Sequence, residues 1–217
     1  QTRSGKRTAA SAVKIAVDMV KSRLINKDEA LLRIPAGDLV QLLLPSFTSK
    51  SKQNAKGLTK GLPASPGAAT GTLSFSAEDA VARSEAGEDV LLVRKETSPE
   101  DIDGMHHAVG ILTSTGGMTS HAAVVARGWG KCCVAGASEL QISAQRKKVT
   151  INGKTYGEKD VLSIDGGTGE VMLGTVVRHE PKLSGDFETI MKWSDQRRRM
   201  NVRTNADSPV DAERARQ

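Results

Sequence analysis

Aromatic residues are nearly missing from this sequence: two Trp, one Tyr and three Phe stand among 217 residues. Modules that hold nucleic acid stack bases on aromatic side chains or present a recognition helix with a basic face. Six scattered rings offer no such platform, so nucleic-acid binding is not expected despite a net charge of +6. The charge is also unevenly placed. Residues 1–60 carry 12 Lys and Arg against 4 Asp and Glu, whereas residues 61–217 carry 19 against 21. The basic excess belongs to the N-terminal arm.

Cysteine is as scarce. Cys132 and Cys133 are adjacent, a spacing poorly suited to a mutual disulfide, and no third cysteine exists to pair with either. A disulfide scaffold is excluded, and a reducing intracellular compartment is expected, whether cytoplasm or an organelle such as a glycosome or plastid. Long apolar runs are absent too. None approaches the roughly 20 residues of a membrane span, and no signal pattern opens the chain, so no membrane association is expected. There is no initiator Met, and "SPVDAERARQ" stops inside an unfinished helical pattern with Ser208 as cap and Pro209 in the first turn. A piece of a longer protein is expected.

What is present is ample Leu, Ile, Val and Ala for one buried core. From Ser11, the apolar residues Val13, Ala16, Val17, Val20 and Leu24 recur at helical spacing. Asn26 with Glu29 three residues on predicts a capping box and a second helix. "DLVQLLL" predicts a third, ending at Pro45, and "SFTSKSKQNAKGLTKG" reads as an exposed linker. Strand and helix then alternate. "LPASPGAATGTLSF" gives turn residues and a strand, "AEDAVARSEAG" a helix closed by Gly87, and "VLLVR" a buried strand. Ser98 as cap with Pro99 behind it starts another helix, followed by the strand "VGILTS". "CCVAG" reads as a short buried strand, "VTINGKTY" as a hairpin around Asn152-Gly153, and "DVLSIDGGTGEVML" as a second hairpin. "SGDFETIMKWSDQRRRM" reads as a capped helix, and "NVRTNAD" as the first strand of something else.

The stretch "GGMTSHAAVVARGWGKCC", Gly116 to Cys133, carries the chemistry. A strand that ends in Gly-Gly and turns into a helix collects backbone N–H groups without intrahelical partners, a ready anion site. Thr119 or Ser120 caps the helix, and His121 stands in its first turn. There the positive end of the helix dipole disfavours imidazolium, and neutral imidazole is the nucleophilic form. Taken by itself, a helix-start histidine is more often one that merely hydrogen-bonds a nearby carbonyl, and that reading stays open here. Gly116 and Gly117 serve either close approach to phosphate or a tight turn. Arg127 reads as a solvated residue at the helix end, with pairing to phosphate or to a partner as the alternative. His106, His107 and His179 have no carboxylate or thiol partners at ligand spacing, so no metal site is expected in this chain.

At these residues the chain resembles a known family. "GILTSTGGMTSHAAVVARGWGKCCVAG" is similar to the phosphohistidine signature of the pyruvate, phosphate dikinases, within the PEP-utilising enzymes. Phosphoenolpyruvate synthase and enzyme I of the sugar phosphotransferase system share only a looser frame, and Met118-Thr119 and the Lys-Cys-Cys run favour the dikinases. "GLPASPGAATG" and "LLVRKETSPEDIDGMHHAVGILT" resemble their central domain, and "IAVDMVKSRLINKDEALLRI" the linker helices before it. "QTRSGKRT" resembles the end of an ATP-grasp domain, and "WSDQRRRMNVRTNADSPVDAERAR" the linker into a barrel that binds phosphoenolpyruvate and pyruvate. Two positions depart from the pattern: Met-His-Ala-Ala is replaced by Met105-His106-His107-Ala108, and Trp129 stands where Met or a similar apolar residue is usual. His107 reads as a solvent-facing substitution.

The resemblance implies an α/β fold, a swivelling β/β/α phosphohistidine domain with helical linker segments at both ends. It divides the chain into 1–8, the end of the ATP-grasp nucleotide-binding domain; 9–60, a helical linker; 61–175, the central swivelling domain; 176–202, a second linker helix; and 203–217, the start of the barrel. It implies reversible conversion of ATP, phosphate and pyruvate into AMP, diphosphate and phosphoenolpyruvate, with His121 as the phosphohistidine nucleophile. Gly116, Gly117 and Ser120 would neighbour the phosphate. Thr119 would be a regulatory phosphoacceptor, as in plant members, or a helix cap. Gln1 and Arg3 would belong to an incomplete nucleotide site, and Arg203 is a possible first contact from the barrel. Mg²⁺ would serve in the two partner domains, which belong to the same polypeptide, and a homodimer of the full-length protein is expected. Two alternatives stay open: the carrier domain of a phosphoenolpyruvate synthase, which uses water in place of phosphate, and a non-catalytic swivelling module.

Overall fold

A computed structural model describes residues 7–179 and 185–201. Gln1, Arg3, Arg203 and the expected barrel segment 203–217, with all but the first residue of the strand read at 201–207, lie outside the described residues. The chain divides into two compact units, one of residues 39–182 and one formed from residues 1–38 and 183–217. It opens with helices α1 (Ala9–Lys21), α2 (Lys27–Leu32) and α3 (Ala36–Leu42). Thr8 caps α1, its hydroxyl accepting from Ser11 N–H, and Asn26 caps α2 by accepting from Glu29 N–H at 2.8 Å. Glu29 does not reach back to complete the expected box; its carboxylate pairs with Arg33 at 2.5 Å. Val13, Ala16 and Val17 are buried as their spacing predicts, but Leu24 lies beyond the end of α1 and is 70% exposed.

The larger unit runs through β1 (Ser46–Phe47), α4 (Ser49–Lys52), β2 (Lys56–Lys60), β3 (Leu62–Ser65) and β4 (Ala68–Ser74). Three strand–helix–strand steps follow. α5 (Ala77–Glu85) leads to β5 (Val90–Arg94); a 3-10 turn (Pro99–Asp101) and α6 (Ile102–His107) lead to β6 (Gly110–Thr113); α7 (His121–Gly128) leads to β7 (Cys132–Ala135). The unit closes with β8 (Leu140–Ser143), β9 (Lys148–Ile151), β10 (Lys154–Gly157), β11 (Val161–Asp165), β12 (Glu170–Leu173) and β13 (Arg178–His179). Asn152-Gly153 turns the β9–β10 hairpin, and β11–β12 is the second hairpin, both as the sequence predicts.

Eight strands form one sheet in the order β2-β12-β11-β4-β5-β6-β7-β3. β4 to β7 are parallel neighbours, and the flanking strands are antiparallel. Because β4 to β7 advance in one direction and such crossovers are right-handed, their helices fall on one face. The three-stranded sheet β10-β9-β8 covers the other face. Side chains alternate between the faces with the period of two that strands impose. Leu91, Val93, Leu112, Cys132 and Val134 join Leu140, Val149, Ile151 and Tyr156 in one core. Leu92, Ile111, Cys133 and Ala135 join Ala80, Met105, Ala122, Ala123 and Ala126 in the other. This is the expected β/β/α layering, and it sends the two adjacent cysteines to opposite faces.

Residues 46–61 are not the exposed linker the sequence predicts. β1 pairs with β13, placing Ser46 opposite His179, and β2 pairs with β12 at one edge of the large sheet. Lys52 closes on Asp165 and on Glu170, the latter at 2.5 Å. β2 has one buried apolar residue, Leu58, so an edge strand here carries too little alternation to be recognised.

α8 (Asp186–Arg197) belongs to the smaller unit. Gly185 stands at its N-cap and provides no side-chain cap, contrary to the expectation of a capped start. Its Ile190 is buried, and Arg197 pairs with Asp28 of α2. Among the described residues no helix is long and apolar enough to cross a membrane.

Candidate functional site

The loop from Ser114 to Ser120 leaves the C-terminal end of a parallel strand, where open α/β sheets place their sites. Gly116 has φ +101°, and a Cβ there would lie 2.9 Å from Ser120 Cβ, so a side chain would both strain the turn and displace the cap. Gly117 has open space around it. Ser120, rather than Thr119, is the cap: its hydroxyl accepts from Ala123 N–H at 3.4 Å, and its own N–H donates to the Gly117 carbonyl at 3.0 Å. Thr119 is exposed, and its hydroxyl has no partner among the described residues. Arg127 is not simply solvated. Its Nε donates to the Ala123 carbonyl at 3.1 Å and its Nη2 to the Met118 carbonyl, tying the glycine turn to the helix it starts.

His121 is the first residue of α7 and is half-buried. Its Nδ1 lies 3.0 Å from the hydroxyl of Thr97, a residue that is 8% exposed. Sequence reading passed over Thr97 because the helix signal beside it, Ser98-Pro99, accounts for the local pattern. The signal available was position: "KETSPED" follows β5 as the glycine turn follows β6, so the two loops leave neighbouring parallel strands at the same end. Hydrogen bonds join those loops, since the Lys95 carbonyl accepts from Thr115 N–H at 2.9 Å and from the Thr115 hydroxyl at 2.8 Å.

Among the described residues, Nε2 of His121 meets no partner, and the N–H groups of Met118, Thr119, His121 and Ala122 meet no acceptor. The helix dipole adds its positive end at the same place. Unpartnered amides, hydroxyls and an imidazole lone pair suit a phosphate-like anion. They do not suit a hard cation such as Mg²⁺, which takes carboxylates and waters. Among the described residues no group of three or more His, Cys, Asp or Glu stands together as a metal site.

The helix behind the histidine packs closely. Ala122, Ala123 and Ala126 are buried against the sheet, while Val124 and Trp129 remain exposed. Trp129 sets its ring edge-on to His106, 5.4 Å between centroids. His107 is not solvent-facing as expected: it is half-buried, with Nδ1 2.8 Å from the Asp103 carbonyl, and His106 is the exposed member of the pair. Lys131 reaches the carbonyls of His106 and Ala108 at the end of α6. Burial pushes the Cys133 thiol up to about 12, against a smaller opposing effect of Arg127, and pushes Cys132 well above the thiol range. Both are inert thiols at neutral pH.

Residues 86–169, which include this whole site, match the family described as PEP-utilising enzyme, mobile domain. The full chain is 55% identical over 217 residues to pyruvate, phosphate dikinase 1, chloroplastic, of Oryza sativa subsp. japonica, covering 23% of that protein. It is 53% identical over 216 residues to pyruvate, phosphate dikinase of Rhizobium meliloti (strain 1021), covering 24% of it. The chain thus spans less than a quarter of the length of these relatives. Among solved structures, the NMR solution structure of Enzyme I (nEIt) matches 50% of this chain and 36% of its own, at 22% identity and a TM-score of 0.30, a likeness too loose to carry an argument. With more than half of its residues identical to the matched segments of these dikinases and the mobile-domain match containing the histidine turn, the chain belongs to the PEP-utilising enzymes.

Proposed function

We propose that this chain is the phosphoryl-carrier part of a pyruvate, phosphate dikinase, with His121 as the group that carries phosphate. The observation that carries the reading is the ring of His121, held at Nδ1 by Thr97 while Nε2 is left without a protein partner beneath unpartnered amides. With Nδ1–H donating to the Thr97 hydroxyl, the lone pair lies on Nε2, which is then the nucleophile.

In the first half-reaction, Nε2 attacks the β-phosphorus of ATP; an N–P bond forms, the bond to the α-phosphate oxygen breaks, and AMP leaves. The terminal phosphoryl of the resulting pyrophosphohistidine passes to inorganic phosphate as diphosphate. In the second half-reaction, the remaining phosphoryl passes from Nε2 to the enolate oxygen of pyruvate, giving phosphoenolpyruvate and the free ring. The turn amides and the Ser120 region neutralise the added charge, and Arg127 holds the turn that presents them. Mg²⁺ supplies charge neutralisation on the phosphates in the ATP and pyruvate sites, which lie in an ATP-grasp domain and a barrel outside this chain.

Residues 39–182 form the moving carrier in this reading, and the helices of the smaller unit belong to its linkers. Gln1 and Arg3 contribute to the ATP site, and residues 203–217 begin the barrel. Thr119, exposed beside His121, is a regulatory phosphoacceptor, because a dianion there repels the incoming phosphoryl. Incubating the full-length polypeptide with phosphoenolpyruvate and Mg²⁺ is expected to leave an acid-labile phosphoryl group on this segment, absent in His121→Ala. No adduct, or one that survives His121→Ala, overturns the reading.

A further inference from the structure

Thr97 holds the His121 ring, and what holds Thr97 is an ion pair, with its carboxylate buried, that the transfer chemistry does not itself use. Asp101, 3% exposed, sets Oδ1 3.1 Å from Nε of Arg94, a close ion pair rather than an aligned hydrogen bond. Its Oδ2 accepts the Ser98 N–H at 2.9 Å and the Ser98 hydroxyl at 3.3 Å. Arg94 is the last residue of β5, and its Nη1 donates to the Phe75 carbonyl at 3.1 Å. The loop of residues 95–101 is therefore bolted to the end of a central strand. The peptide fixed by the carboxylate is the one that joins Thr97 to Ser98.

An ion pair with a buried carboxylate and an arginine 30% exposed adds little net stability, because desolvation of the carboxylate offsets much of the attraction. What it adds is fixed geometry. The Thr97 hydroxyl must meet Nδ1 within a few tenths of an ångström to hold the ring, and displacing a reacting group by about 1 Å costs about a hundredfold in rate.

We propose that Asp101 is a positioning residue for transfer at His121: paired with Arg94, it fixes Thr97 so that the hydroxyl meets Nδ1 and Nε2 is left to react. The consequence for transfer rests on the carrier reading; the placement of Thr97 does not.

Nitrogen-15 NMR of the His121 ring in the 217-residue chain tests the placement directly. The neutral wild-type ring is expected to carry its proton on Nδ1. Asp101→Ala moves it towards a mixed population, as Thr97→Val does. Asp101→Asn, which keeps an oxygen for the Ser98 N–H, falls between Asp101→Ala and wild type. In the full-length polypeptide, phosphoryl uptake from phosphoenolpyruvate falls about tenfold to a hundredfold in Asp101→Ala, and the Thr97→Val, Asp101→Ala double variant is no slower than Thr97→Val alone.

A purely structural role for Asp101 would give losses that multiply in the double variant and leave the ring population unmoved, and either result overturns the proposal. So does a wild-type ring protonated on Nε2. If Asp101→Ala does not fold, Asp101→Asn decides: an unchanged ring population overturns the proposal, and an intermediate one supports it. If the wild-type protein takes up no phosphoryl group, the carrier reading fails, while the ring populations still decide the role of Asp101.

Discussion

One face of the eight-stranded sheet is filled by Leu73, Leu91, Leu112, Leu162 and Ile164 beneath a three-stranded sheet; the other is filled by Ala80, Ala122, Ala123, Ala126 and Ala135 beneath three helices. The first face buries large side chains, each contributing about 1.5–3 kcal/mol. The second also buries Leu92, Ile111 and Met105, but most of what its helices bring to it is methyl groups, which contribute less and let backbones approach. Gly104 of α6 takes this furthest, since a Cβ there would lie 2.5 Å from the Cα of Ala77 in α5. α7, which begins with His121, lays Ala122, Ala123 and Ala126 on the sheet in the same way, and a helix packed through methyl groups has little freedom to slide or roll. The leucine face supplies stability, and the alanine face supplies position.

The sharpest test is to weaken the first face alone. Leu112→Ala removes a fully buried side chain of β6 and is expected to cost about 2–5 kcal/mol of unfolding free energy in a urea titration. The folded fraction should keep the wild-type ring signal of His121, because Leu112 points away from the helices. If the Thr97–His121 contact is lost in folded Leu112→Ala, the two faces are not separable and the comparison breaks.

Enlarging the second face should do the reverse. Ala123→Leu forces three more carbons between α7 and the sheet, with an expected cost of about 1–3 kcal/mol from overpacking. Its effect on function should exceed that of Leu112→Ala, because lifting the head of α7 moves His121 from Thr97. A shift of about 1 Å predicts phosphoryl uptake down about a hundredfold, measured on protein that circular dichroism shows to be folded. Uptake within twofold of wild type would mean that the alanines do not set the position of the histidine.

How far each face was legible in the sequence follows from the same contrast. Continuous apolar runs such as "VLLVR" and "CCVAG" announced the buried strands, and the glycine turn with its hydroxyls announced the helix start at His121. The Asn26 and Gly87 signals fell where local backbone chemistry dictates. Thr97 was not legible, because its role depends on two loops that meet only once β5 and β6 lie side by side. Lys52 and β2 were missed for a related reason. A polar edge strand has no period to detect, and its partners Asp165 and Glu170 are more than 100 residues away, so pairing alone reveals it. Arg127 read as solvated because no sequence pattern reports a turn folding back onto its own helix.

The smallest effect is expected at the rim, outside both faces. Burial works against the charge of Lys52, but its hydrogen bonds with Asp165 and Glu170 outweigh that and hold the ammonium above its ordinary 10.5. The Lys52 hydrogen bond, helped by Thr168, holds Glu170 below its ordinary 4.5. A depressed carboxylate stabilises the fold above 4.5, and that contribution fades as pH falls through its lower folded value. A raised lysine stabilises below 10.5, and that contribution fades as pH rises through its higher folded value. Lys52→Met is therefore expected to cost about 1 kcal/mol at pH 7, since Glu170 is substantially exposed and the buried Asp165 keeps the N–H groups of Gly167 and Thr168 as partners. The gap from wild type should narrow as the medium is acidified below 4.5. Urea unfolding of both proteins at neutral and acidic pH measures it. A neutral-pH loss as large as that of Leu112→Ala, or a gap that does not close in acid, would place the rim among the elements that hold the unit together and leave the two packed faces an incomplete account of its stability.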